Sequence, residues 1–205
     1  IQTAANAQVD TVFIAAHNLG STGTTITVET SDTTGGAFTT RATIVPTDNS
    51  TIAVMINNAG TPYTIRRVRI SLSGASSAVQ IGIIRAGVAL QMERPVFGGI
   101  RPIGLSRAVE TRHSQSETGQ WLGRTVQRQA SMTEMPWDHL TSAWYRANFA
   151  PFALALPQTP FGLIQNPLRM PESVAWCWTD AVPVPENMGI VDLMSVSLPI
   201  TGFLE

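Results

Sequence analysis

The sequence contains no lysine: all 13 of its basic residues are arginine, set against 14 acidic residues. With a net charge of -1 and a pI near 6.3, it lacks the basic excess that a general nucleic-acid binder presents to phosphate. It has one cysteine, Cys177, which excludes an internal disulfide framework and a cysteine-only metal cage; between Trp176 and Trp178 it reads as a small core residue. Long apolar runs are missing too. The most apolar stretch, Phe149 to Leu156, is interrupted by Pro151 and falls far short of the roughly 18 to 20 residues that a membrane-spanning helix needs. No methionine opens the chain at Ile1, so the start reads as truncated and the lack of a leader says nothing about secretion.

Charged residues make up only 13% of the chain and hydrophobic ones 43%, with a mean hydropathy of +0.10. Over 205 residues that is enough apolar material for one large or two small buried cores. An all-arginine inventory suits hydrogen-bonded contacts between chains, because the planar guanidinium forks onto carboxylates and carbonyls and is weakly hydrated; GC-rich coding is the alternative source.

Catalytic signatures are also missing. None of His17, His113 and His139 stands in a metal-binding spacing, and there is no H-E-x-x-H, C-x-x-C, Walker loop or G-x-G-x-x-G. Gly104-Leu105-Ser106 lacks the strand-turn-helix setting of a nucleophile elbow. Glu93, Glu110, Glu117, Glu134, Asp138 and Glu172 are too scattered to name a glycosidase pair, whose mechanism depends on carboxyl separation. Trp121, Trp137, Trp144, Trp176 and Trp178 could stack on sugar rings, but large aromatics mostly fill cores. Asp32 and Asp48 could ligate calcium, but in turn sequences their ordinary work is to bond their own backbone. The expectation is a protein that is not an enzyme, with no cofactor, no metal, and neither nucleic acid nor membrane as partner.

What is there is β-forming sequence. Residues 9–16 are apolar, and Thr24, Ile26 and Val28 alternate with Thr25, Thr27 and Glu29. Short Thr-, Val- and Ile-rich runs follow at 38–45, 51–56, 65–72 and 79–84, spaced as in a sandwich. Ile65, Val68, Ile70 and Leu72 predict one buried face and Arg67, Arg69 and Ser71 the other, after an irregularity at Arg66. Near residue 90 the texture changes to Pro, Trp, Met and Gln. The sequence thus predicts a mainly β protein: an antiparallel β-sandwich over 1–90, then an arm and a β-rich irregular domain over 91–205. In the second, strands are expected at 119–129, 153–156, 173–178 and 194–198, with one helix near 137–148 that follows Pro136 and ends before Pro151.

Thr11–Gly20 (TVFIAAHNLG), followed by Thr25–Glu29 (TITVE), resembles the opening of the discoidin-like β-sandwich found in structural proteins of tailed bacteriophages. Val79–Leu90, Met92–Gly99 and Ser116–Arg124 resemble, in the same order, the later segments of those proteins. The resemblance implies a jelly-roll, galactose-binding-like first domain and a structural virion role in the tail, neck or baseplate, assembled in the bacterial cytoplasm. Its partners would be other copies of the chain and other tail or neck proteins. It also makes the arm residues Arg94, Pro95, Val96, Phe97, Arg101 and Pro102 the expected subunit interface; an intramolecular strap over the sandwich is the alternative. His17, Asn18 and Gly20 read as a structural turn, with Asn and Gly able to take positive φ and His17 bonding across the loop; a ligand-binding histidine is the alternative. Since such sandwiches can hold sugars in end loops, a carbohydrate-binding module for host-surface recognition is the rival function.

Overall fold

The computed structural model describes residues 1–57, 60–96, 98–165, 173–189 and 191–203. Among the described residues it is mainly β, every strand pairing is antiparallel, and the helical parts include one 3-10 turn at Ile103–Leu105 and one longer run. The chain divides into two compact units, Ile1–Gln91 and Met92–Leu204.

The first unit contains β1 (Gln2–Val9), β2 (Thr11–His17), β3 (Thr25–Ser31), β4 (Thr39–Ile44), β5 (Ile52–Met55), β6 (Tyr63–Ser73) and β7 (Ile81–Gly87). Two sheets, ordered β1-β6-β3-β4 and β5-β2-β7, share one core. Val12 and Ile14 enter it from one sheet, and Ile26, Val28, Ile65 and Val68 from the other. β3 alternates buried and half-buried residues as its period-2 pattern requires. β2 is buried over nearly its whole length because β5 and β7 flank it, which is why it reads as a continuous apolar run. Ile65 and Val68 are both buried although three apart, and beside them the β1–β6 register shifts between Ala7–Ile65 and Gln2–Arg67, with the extra residues on β1. The bend between β1 and β2 is fixed by Asp10, a buried carboxylate that accepts from Thr11 Oγ1 and from the Ala89 N–H, both at 2.8 Å.

The second unit contains β8 (Arg107–Gln115), β9 (Trp121–Thr141), β10 (Phe161–Leu163), β11 (Ala175–Trp178), β12 (Glu186–Asn187) and β13 (Leu193–Gly202). The sheet order is β10-β11-β13-β9-β8, with β12 added to β13. One face packs on the helical run 142–155, which consists of α1 (Ser142–Trp144), a π-turn (Tyr145–Phe149) and α2 (Ala150–Ala155). Phe149 is fully buried at the centre of this core, its ring centroid 6.1 Å from Trp137, 5.4 Å from Tyr145 and 5.7 Å from Phe152.

Two sequence expectations fail here. The helix expected at 137–148 begins only at Ser142. Residues 137–141 complete β9 because Leu193–Val196 of β13 supplies a ladder, and Pro136 sits where β9 has a partner on one side only. The Thr141 hydroxyl then caps the helix by accepting from the Trp144 N–H at 3.3 Å. Nor does Pro151 end the helix. The π-turn, in which the Ala150 N–H donates to the Tyr145 carbonyl, gives room for its ring and its missing N–H, so the strand expected at 153–156 is α2 and its end. Phe149, Ala153 and Leu156, spaced i, i+4 and i+7, are its buried stripe.

Candidate functional site

Three places could carry function: the turn after β2, the segment 92–102, and the β8–β9 hairpin. In the first, His17 is only 7% exposed and its Nδ1 accepts from the Leu19 N–H at 3.3 Å. Asn18 bridges to the far side of the loop, donating from Nδ2 to the Ala78 carbonyl and accepting the Gln80 N–H on Oδ1 at 2.7 Å. Neither Asn18 nor Gly20 takes positive φ; that backbone falls at Ala16 (φ 54°) and Gly23 (φ 64°). Gly20 is required for another reason, since an added methyl would run into the Asp48 backbone carbonyl. Asp48 accepts from both the N–H and the hydroxyl of Ser50, and these bonds hold its carboxyl below the ordinary aspartate range. These groups tie the loop together, while His17 Nε2 is buried without a hydrogen-bond partner. Among the described residues no cluster of three or more His, Cys, Asp or Glu could hold a metal ion.

The segment 92–102 forms no strand and folds back on its own unit. Met92, Val96 and Ile100 pack against the second core. The Glu93 carboxylate accepts from the Thr141 N–H at 2.7 Å and from its hydroxyl at 2.9 Å, tying the segment to the end of β9. The Arg101 carbonyl accepts from Thr133 Oγ1, and the Pro102 carbonyl from Ser106 Oγ. Arg94, Pro95 and Arg101 are exposed, Val96 and Pro102 are half-buried, and Phe97 lies outside the described residues. Within this chain the described part of the segment is a strap over its own unit, with Glu93, Arg94, Pro95, Gly98, Gly99 and Arg101 exposed.

On the first unit, the arginine face of β6 is also engaged. Arg69 forks onto Glu29 across the β3–β6 ladder, Nε to Oε2 at 2.6 Å and Nη2 to Oε1 at 2.9 Å, and Ser71 adds a third bond. The Arg69 fork, followed by Ser71, holds the Glu29 carboxyl below the usual glutamate range. The guanidinium carbons of Arg69 and Arg67 lie 4.0 and 4.6 Å from the Phe38 ring centroid. This ring lines a shallow pocket of about 440 Å³ with Arg67, Arg69, Ile70 and Ile84, so the pocket's one aromatic surface already carries cations.

The hairpin differs from both. β8 pairs with the first half of β9, from Arg107–Ser131 to Gln115–Trp121. Its turn is built by Ser116, whose carbonyl accepts the Gly119 N–H and whose N–H donates to the Gln120 carbonyl, both at 2.9 Å, with Gly119 at φ 80°. β13 joins β9 only from Ser131 onward, so over residues 121–129 β9 has β8 alone as neighbour. The result is a two-stranded ribbon with almost every described residue exposed. Its apolar residues are bare: Trp121 and Leu122 are 66% exposed, Val109 51% and Val126 46%. An isolated two-stranded ribbon is marginal in water.

Sequence reasoning read residues 119–129 as a strand with an exposed or paired face, but missed β8. The signal was available in Val109 and Thr111 on one side and Thr125 and Val126 on the other, separated by a turn carrying Gly119. Of the five tryptophans, Trp137 and Trp176 are buried and Trp144 and Trp178 half-buried; Trp121 alone stands in solvent. Comparisons with protein-family models, with curated proteins and with solved structures return no match for this chain.

Proposed function

We propose that this chain is a non-enzymatic structural protein of a tailed-bacteriophage virion, in the tail, neck or baseplate, working through contacts with its own copies and with other virion proteins. On this reading the first unit is a discoidin-like jelly roll that serves as a rigid body, and the second unit carries the contact surface. The observation that supports it is the β8–β9 ribbon, which exposes Val109, Trp121, Leu122 and Val126 with no cover from the described residues. Apolar residues on a strand pair with both faces in water are costly for a lone subunit and useful for an assembling one.

The rival, a carbohydrate-binding module, would use an open aromatic face. Phe38 carries two guanidinium groups instead, which leaves Trp121, open beside the hairpin turn, as the ring such a module would use. The deciding experiment is quantitative mass spectrometry of density-purified particles, with capsid and portal proteins as copy-number standards. A low symmetric copy number, such as about six or twelve per particle, is the expected result. Absence from particles overturns the reading and brings glycan binding forward.

A further inference from the structure

We propose that the outer edge of β8 pairs antiparallel with β8 of a second copy, about a two-fold axis at Thr111. This rests on the reading that the chain works by contact between copies, and it names the surface and the register. β8 is the last strand of its sheet, and among the described residues no strand pairs with its outer edge. That edge is regular. The two bulges of the hairpin fall on β9, where Gln127 and Leu122 are the extra residues, so all nine residues of β8 remain in one uninterrupted strand. It carries neither proline nor bulge, and its charged residues, Arg107, Glu110 and Arg112, are of both signs, so they can pair across a second copy instead of repelling it.

The charges select the partner and the register. A two-fold axis normal to a sheet places one residue of the strand opposite itself. Centred on Thr111, the midpoint of Arg107–Gln115, it keeps the whole strand paired and sets Glu110 opposite Arg112 of the second copy, twice. Val109 then faces His113 and Ala108 faces Ser114. Moving the axis by one residue puts Glu110 opposite Glu110 or Arg112 opposite Arg112, which is repulsive. The chain already uses the favourable arrangement elsewhere, where Glu29 and Arg69, directly opposed on β3 and β6, form a bidentate pair. The corresponding edge of β9 offers no such match, since an axis at its midpoint, Thr125, sets Arg124 against Val126. Pairing through β8 turns two marginal ribbons into one four-stranded sheet, with Val109 and Val126 of both copies on a common face.

The test is a charge exchange in the full chain, read by sedimentation velocity over a concentration series, with circular dichroism and thermal melting as controls for folding. Wild type is expected to self-associate. E110R and R112E, each setting like charges opposite one another, are expected to raise the dissociation constant at least about tenfold. The double variant E110R/R112E restores opposite charges and is expected to recover most of the affinity, while neither single change shifts the melting of the monomer. As an independent readout, T111C is expected to cross-link under mild oxidation, with Cys177 buried and silent. Association that is indifferent to the single changes, or a double variant no better than the singles, overturns this register while leaving assembly through another surface intact. A chain that is monomeric in solution yet present in purified particles overturns self-pairing alone. A chain absent from particles overturns the underlying function.

Discussion

The tripeptide Val-Glu-Thr occurs in two strands of this protein, as Val28-Glu29-Thr30 in β3 and as Val109-Glu110-Thr111 in β8. In β3 the valine is wholly buried, the glutamate is held by Arg69 and Ser71 across the ladder, and Thr30 is buried. In β8 the same valine is half exposed and Glu110 stands in solvent. Local propensity is identical, and both segments form regular antiparallel strands. What differs is the cover: β3 lies between β4 and β6 with a second sheet over its inner face, whereas among the described residues β8 has one neighbouring strand and is exposed over most of its length. The first strand is stabilised within the chain. The second is made as if another surface were to complete it.

This contrast can be broken or sharpened experimentally. The largest effect is expected in the base of the second unit, where Phe149→Ala opens a cavity under the β9–β13 sheet and should cost about 3 to 5 kcal/mol in chemical denaturation. If β9 is built as described, its exposed end should behave in the opposite way. Trp121→Ala should change monomer stability by less than about 0.5 kcal/mol while weakening self-association in sedimentation. A large loss of monomer stability there would show that the ribbon is packed by its own chain.

In the first unit, Gly20→Ala forces a methyl into the backbone of Asp48 and should destabilise by about 1 to 3 kcal/mol, read from the thermal midpoint. His17→Ala removes the acceptor of a buried N–H and should cost about 1 to 2 kcal/mol, with binding unaffected; normal stability with a lost ligand would give His17 the other role. The smallest effect belongs to the Glu29–Arg69 pair between β3 and β6. Folding lowers the Glu29 pKa from its ordinary value of 4.5, so its contribution is fully present above that value and is lost as pH falls through the lowered one. The melting difference between wild type and Glu29→Gln should therefore be visible at pH 7 and close as pH drops below about 4.5. A difference that persists at pH 2 would place the effect elsewhere.

Much of the first unit was legible because its strands alternate. Thr24, Ile26 and Val28 mark an inner face, and the irregularity at Arg66 coincides with a real register shift. β1 was not legible: Gln2–Val9 is small and polar with little alternation, and the ladder along β6 makes it a strand. The helix was misplaced for a similar reason. Pro136 and Pro151 read as its boundaries, but β13 draws residues 137–141 into β9, and a π-turn carries the helix past Pro151. Arg94–Pro102 was expected to reach a neighbour, yet the apolar side chains of Met92, Val96 and Ile100 find their own core.

By itself, the sequence determined which backbone segments could be strands and which side chains had to leave water, because propensity, periodicity and turn residues act over a few positions. It also determined that Cys177, with no partner cysteine, would serve as buried packing. Only the tertiary structure decided which strands received a second layer. Burial depends on residues far away in the chain, and so Val28 is enclosed while Val109, in the same tripeptide, is left half exposed.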